Sequence, residues 1–225
     1  METKQKINIL GIDEAGRGCI IGPLVMAGVL ATEEQIEDLK KLGVTDSKQL
    51  TDIQRRTLYN SVIKLTTKHL IVEIPPREID DAIRGMNGLN LNWLESTKTA
   101  QLINTLHPDK AIIDCPSTNI EAYKNHLTKQ ITITPTPEII VQHKADSEHV
   151  IVGASSILAK VTRDNKIEEI KKRIQRDFGS GYLSDEKTVQ FMKEQWNTHP
   201  EIFRQSYKPY KKEQEEKVQK KLGDY

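Results

Sequence analysis

From residue 7 the apolar positions come in β-branched runs: INILGI, then, past a glycine-bearing stretch, IIGPLVMAGVLA. Two such runs divided by a glycine turn predict a hairpin with strands over 7–13 and 20–30. The period then changes. Apolar residues recur at helical spacing over 33–42 and 52–65, which predicts two helices, the second capped by Thr51 or Asp52. LIVEI at 70–74 reads as a strand stopped by Pro75 and Pro76, with helices over 77–84 and 89–106 behind it. KAIIDC at 110–115 is a short buried strand, followed by a helix over 119–128, strands over 131–134 and 139–143, and a long helical stretch from 147 to about 176. Strands that first pair and then alternate with helices predict an α/β fold: a mixed sheet flanked by helices. Beyond the loop GSGYLSD at 179–185 no strand pattern recurs, and Pro200 and Pro209 break the rest of the chain into helical pieces ending in a charged tail. The division read along the chain is therefore a body over 1–178 and a C-terminal helical appendage over 179–225.

Composition narrows the field. The 225 residues carry 33 Lys and Arg against 32 Asp and Glu, a net charge of +1, so any attraction to nucleic acid has to be local. Two cysteines, Cys19 and Cys115, are too few for a disulfide framework or a four-sulfur zinc site. No window approaches 18 apolar residues, and METKQKINILGIDEAG places carboxylates where a signal peptide carries its apolar region. The expectation is a soluble cytoplasmic protein, and nothing demands more than a monomer.

The informative residues are acids in apolar surroundings. Asp13 and Glu14 end the ILGI run, and Asp114 ends AII at 111–113. A carboxylate at the end of a buried strand is costly unless its charge is compensated. A fourth acid, Asp146, on a third segment, precedes the apolar face formed by Val150, Ala154, Ile157, Leu158 and Val161. Strand ends of parallel or mixed sheets are where ligand sites form, so acids from three segments can converge there. Converging oxygen ligands select hard cations, Mg²⁺ or Mn²⁺. Two such ions roughly 4 Å apart serve in-line hydrolysis of a phosphodiester. Neighbours on a regular strand face opposite ways, so Asp13 and Glu14 share one site only through backbone distortion, a carbonyl, or a second ion arriving with substrate. Taken singly, each acid also fits an N-cap or a surface ion pair. His143, Asp146, His149 and Cys115 are zinc-ligand types, but their steps match no strong zinc spacing.

Gly16, Arg17 and Gly18 directly follow the acids, and glycines flanking a cation let backbone amides approach a sugar and phosphate. A plain tight turn is the alternative. Gly16, Gly18 and Gly22 do not make a dinucleotide fingerprint, because the last step is one residue too long and no helix follows. Ser156, Lys160 and Arg163 share one face of the predicted long helix. With Lys144 and Lys48 they predict a groove that tracks phosphates and positions a duplex without reading its sequence. An ordinary solvated face is the competing reading. Tyr182, between Gly181 and Leu183, is a candidate to stack on a sugar or base, or else a core aromatic.

In order along the chain, GIDEAGRG at 11–18, IGPLVMAGV at 21–29, TDSKQL at 45–50, IID at 112–114, HKAD at 143–146, ASSILAKVTRD at 154–164 and GSGYLSD at 179–185 resemble ribonuclease HII. The likeness spans roughly residues 7–185 and is to the archaeal form in particular, which is related to the eukaryotic catalytic subunit. It implies a ribonuclease H-like fold and a divalent-metal endonuclease acting on RNA/DNA hybrids and on DNA duplexes with embedded ribonucleotides. The implied cut is 5′ to a ribonucleotide, leaving a 3′-hydroxyl and a 5′-phosphate, in ribonucleotide removal and RNA primer processing. Asp13, Glu14, Asp114 and Asp146 match the family's metal-site carboxylates. Gly16, Arg17 and Gly18 match the loop that senses the ribose 2′-hydroxyl, and Tyr182 matches its stacking partner.

Some positions depart from the family pattern. Cys19 stands where proline is frequent, Cys115 where small polar residues are common, and Tyr207 where tryptophan is frequent. In the terminal QKKLGDY, Gln219, Leu222 and Tyr225 have the spacing of a sliding-clamp binding motif that some archaeal relatives carry, without its second terminal aromatic. The resemblance thus implies a sliding clamp as partner, against a solvated tail that happens to end in Tyr. Two other functions stay open on the residue chemistry alone. A different carboxylate nuclease would cut all-DNA substrates, and a non-catalytic binding module would need no divalent ion.

Overall fold

A computed structural model of the chain describes residues 6–44 and 50–223, with side chains as far as 217. The predicted hairpin forms as β1 (Asn8–Ala15) and β2 (Leu24–Thr32), paired antiparallel from Asn8 with Thr32 to Ala15 with Val25. β2 starts later than the apolar pattern suggests, because Gly22 takes φ 88° and Pro23 follows it. β3 (Lys68–Ile74) lies beside β2 at one edge. On the far side of β1, β4 (Lys110–Asp114) runs parallel to it, and β5 (Glu138–Gln142) runs parallel to β4. Among the described residues these strands make one mixed sheet in the order β3-β2-β1-β4-β5. β1, β2 and β4 are inner strands, which is why they read as near-continuous apolar runs.

α1 (Glu33–Lys41) and α2 (Asp52–Leu65) both start at a threonine capping box, Thr32 with Gln35 and Thr51 with Gln54, which decides the second cap for Thr51. α3 (Pro76–Ile83) begins on a proline, which suits a first helical turn. α4 (Leu91–Leu106) precedes β4, and α5 (Ile120–Thr128), capped by Asn119, follows it. The strand expected over 131–134 does not form. Its amides are taken up locally instead: that of Ile131 donates to Thr128 O at 3.3 Å and that of Thr132 to Asn104 Oδ1 at 2.9 Å. The helix expected from 147 is split into α6 (Ala145–Glu148) and α7 (Val150–Ile174) by His149, whose backbone is extended at φ −123° and ψ 115°. α8 (Glu186–Gln195) and α9 (Lys208–Gly223) form the C-terminal helices. No helix among the described residues is long and apolar enough to cross a membrane.

By compactness the chain forms two units, each from three segments. One comprises Met1–Ala15, Val25–Val72 and Asn92–Thr162 and carries the sheet. Its core sets Val25, Ala27, Val29 and Ala31 of β2 in one cluster with Ile151, Ala154, Ile157 and Leu158 of α7. The other comprises Gly16–Leu24, Glu73–Leu91 and Arg163–Tyr225, around Ile20, Ile21, Ile167, Phe178, Phe191, Phe203 and Tyr210. A division at residue 178 follows the chain, whereas compactness places 16–24 and 73–91 with the C-terminal helices.

In the first unit β1 and α7 meet backbone to backbone. A Cβ on Gly11 would lie 2.3 Å from the Ile151 carbonyl oxygen, and the Ser155 hydroxyl donates to Gly11 O at 2.8 Å. This approach fixes the height of Asp13, two residues further along β1, against the start of α7.

Candidate active site

The parallel ladder between β1 and β4 pairs Ile12 with Ile113. Asp13 and Asp114 are the next residues on each strand, so they stand side by side facing the same way. Asp146 arrives from α6, where Lys144, at φ 59°, turns the chain out of β5. The Ala145 amide then donates to Asp114 Oδ1 at 3.2 Å. One oxygen from each of Asp13, Asp114 and Asp146 lies within 4.8 Å of the other two. Asp13 is 7% exposed and Asp146 3%, while Asp114 is half-buried, so the cluster is largely withdrawn from water and open to it on the side of Asp114.

That crowding has an electrostatic cost. Burial pushes Asp13 up to about 7. Hydrogen bonds from the Ser156 side chain and from the Glu14 amide, at 2.7 Å, work against the rise, while the charges of Asp114 and Asp146 add to it. Buried carboxylates held this close call for positive charge, and an all-oxygen donor set of this kind fits a hard divalent cation. The residues that would hold it are Asp13, Asp114 and Asp146. Among the described residues the zinc-type group does not assemble: His143 Nδ1 lies 3.2 Å from the Cys115 carbonyl, and the Cys115 thiol donates to Ser117 O.

Glu14 stands outside this cluster, as strand alternation requires. Its charge is felt by Cys115 and Tyr123, both of which burial already pushes up. Glu95 of α4, fully buried, acts on the same two groups, and sequence reasoning passed over it. The signal available was weak: an acid on a helix face that also buries Ser96 and Thr99 beside Leu102 and Ile103.

The residues expected to track phosphates differ in burial. Ser156 is fully buried and spends its hydroxyl on Asp13. Arg163 is 4% exposed and turned inward, donating to Cys19 Sγ at 3.0 Å and to Ser180 O. Its guanidinium lies 4.7 Å from the centre of the Tyr182 ring and covers one face of it. Lys160 is half-exposed and Lys144 exposed, as a phosphate contact requires. Lys48 lies outside the described residues, as do Tyr225 and the side chains of Gln219 and Leu222, whose backbone belongs to α9.

The glycine loop belongs to the second unit, with Tyr182 and Arg163. Gly16 takes φ 87°, and a Cβ there would stand 2.9 Å from Pro23 O, so the fold itself requires glycine. Gly18 differs: it is exposed, and a Cβ would meet nothing within 4 Å. Tyr182 is half-buried, and burial together with the neighbouring Cys19 pushes its hydroxyl up to about 12, so it stays a neutral donor.

A mixed sheet that sets aspartates side by side at the ends of adjacent parallel strands defines a ribonuclease H-like fold. Solved structures agree. The ribonuclease H2 of Pyrococcus horikoshii superposes with a TM-score of 0.82 at 34% identity, covering 93% of this chain and 98% of that one. The ribonuclease HII in a PCNA complex from Archaeoglobus fulgidus gives 0.78 at 35%, covering 89% and 95%. The sequence profile of ribonuclease HII matches residues 10–210. The ribonuclease HII of Thermococcus sibiricus is 41% identical over 215 residues, 93% of this chain and 92% of its own. That of Pyrococcus furiosus is 40% identical over 212 residues, with the same coverage. The chain belongs to the ribonuclease HII family, endonucleases that cleave RNA in RNA/DNA hybrids.

Proposed function

We propose that the protein cuts on the 5′ side of ribonucleotides, in hybrids and singly embedded in DNA duplexes, leaving a 3′-hydroxyl and a 5′-phosphate. The observation that carries this reading is the convergence of Asp13, Asp114 and Asp146 within 4.8 Å. Mg²⁺ or Mn²⁺ held there would supply an activated water and charge stabilisation at phosphorus and leaving oxygen. The chain's own contribution is preorganisation. Ser156 and the Glu14 amide fix Asp13, and the Ala145 amide fixes Asp114. Glu14, on the opposite strand face, would be a ligand to a second ion arriving with substrate.

Selection of the ribonucleotide falls to Gly16, Arg17 and Gly18, whose amides meet the 2′-hydroxyl, the group that distinguishes RNA from DNA at one position. Tyr182 stacks on the sugar, and Lys144 and Lys160 hold flanking phosphates. The physiological setting is ribonucleotide removal and primer processing. The PCNA complex of the Archaeoglobus fulgidus relative supports a sliding clamp as partner; the spacing of Gln219, Leu222 and Tyr225 makes them the candidate anchors. Deleting 219–225 should then abolish clamp binding in a pull-down and spare cleavage.

The test is cleavage of a labelled DNA duplex carrying one ribonucleotide, beside its all-deoxy twin, with Mg²⁺, Mn²⁺ or chelator. Metal-dependent cutting confined to the 5′ side of the ribonucleotide, and lost in Asp13→Asn, supports the reading. Equal cutting of both duplexes overturns the 2′-hydroxyl selection, and cutting in chelator overturns the metal site.

A further inference from the structure

Arg204 follows the 3₁₀ turn Pro200–Ile202 and is fully buried, yet among the described residues it forms no ion pair. A guanidinium taken out of water without a carboxylate is costly unless its donors are matched. Here the match is to main-chain carbonyls of one loop. Nη2 donates to Gly16 O at 2.6 Å, Nη1 donates to Arg17 O at 2.6 Å, and Nε and Nη2 both reach Gly22 O at 3.2 Å. Tyr207 completes the grip: its hydroxyl accepts from Arg204 Nη1 at 2.9 Å and donates to Arg17 O at 2.7 Å. The Arg204 amide is also bound, to Ile20 O at 2.9 Å.

We infer that Arg204, braced by Tyr207, is the positioning residue of the glycine loop, holding two successive carbonyls inward so that the amides beyond them face substrate. The inference rests on the reading of Gly16, Arg17 and Gly18 as the 2′-hydroxyl sensor. Its physical step is peptide geometry. In a planar trans peptide the C=O and N–H point to opposite edges. The Gly16 carbonyl turned toward Arg204 therefore turns the Arg17 amide away from it, and the Arg17 carbonyl does the same for the Gly18 amide. Gly18 is exposed and has open space where a Cβ would stand, so nothing in the fold demands glycine there and a ligand approaching closely would. A buried arginine serving packing alone would have no reason to take consecutive carbonyls at this tip. Arg204 touches no substrate in this scheme; it acts through the backbone it holds.

The experiment measures kcat and KM on a duplex with one ribonucleotide, and Ki for the all-deoxy duplex as competitor, in Arg204→Lys, Tyr207→Phe and Gly18→Ala. Arg204→Lys should lower kcat/KM by about tenfold and Tyr207→Phe by about threefold, in line with the hydrogen bonds lost. The all-deoxy Ki should move less than about twofold in both, since general duplex affinity does not use the loop. Tyr207→Phe removes one hydroxyl and carries the test alone if Arg204→Lys fails to fold. A fall of kcat/KM and duplex affinity together, tracking Tm, would mean a structural role and overturn the inference. Loss of selectivity in Gly18→Ala with both other variants unchanged would overturn it and leave the sensor reading standing. Unchanged selectivity in Gly18→Ala would remove the sensor reading, and the inference with it.

Discussion

At Asp13 the demands of folding and of chemistry oppose each other. Its carboxyl is pushed from the ordinary 3.8 to about 7, first by burial. A raised native pKa means that the folded state holds this proton longer than the unfolded chain does. The corresponding stability is fully present below 3.8 and lost as pH rises through about 7. At about 1.4 kcal/mol per pH unit the loss is bounded at roughly 4 kcal/mol. Asp13→Asn removes the ionisable group and keeps the volume. In chelator at pH 8 the variant should melt above wild type, at pH 4 the gap should close, and with metal its cleavage should fall below detection. An Asn variant that melts at or below wild type at pH 8 would show that the cost does not sit at this residue. Ser156 acts on the same carboxyl in the opposite sense, since its hydrogen bond stabilises the ionised form. Ser156→Ala should therefore move the acidic limb of the cleavage profile to higher pH, read from rates between pH 5 and 8.

At the scale of elements, the approach of β1 to α7 decides where the acids stand. The Cβ of Gly11→Ala would meet Ile151 O at 2.3 Å and Val152 N at 2.7 Å, backbone atoms that cannot rotate away. The variant should lose about 3 kcal/mol in denaturant unfolding. Gly18→Ala, with open space around the new methyl, should stay within about 0.5 kcal/mol of wild type. Equal losses in the two would contradict this account of why each glycine is there. Most elements were legible because their signals are local: threonine capping boxes at Thr32 and Thr51, prolines at 75 and 76, and β-branched runs in the inner strands. The failures were non-local or conformational. Residues 131–134 carry strand-like composition, but the amides of Ile131 and Thr132 are bound by Thr128 O and the Asn104 side chain, which no local pattern announces. The break at His149 leaves no compositional mark, since the apolar periodicity of α7 resumes immediately after it.

Across the whole molecule, the legible part of the site was the part that violates burial rules. Asp13 and Asp114 stood out because an acid at the end of an apolar run needs a reason, and Asp146 because it opens an apolar helix face; the three do come together. Periodicity put Ser156, Lys160 and Arg163 on one face but could not say what packs on that face, so two groove residues, Ser156 and Arg163, proved buried. Arg204 was invisible because its partners are carbonyls, which every residue carries. A cation that binds the folded acids and not the unfolded chain must raise stability by mass action, by about 2.7 kcal/mol at a hundred times its Kd. Protons compete for the same oxygens, so the gain from Mn²⁺ should be large at pH 8 and shrink below about 7, where Asp13 takes up its proton. Thermal scans with and without Mn²⁺ at pH 8 and pH 5.5, on wild type and Asp13→Asn, test both halves. The same Mn²⁺ shift in the Asn variant would place the ion elsewhere, and a shift independent of pH would mean that Asp13 is not among the groups that hold it.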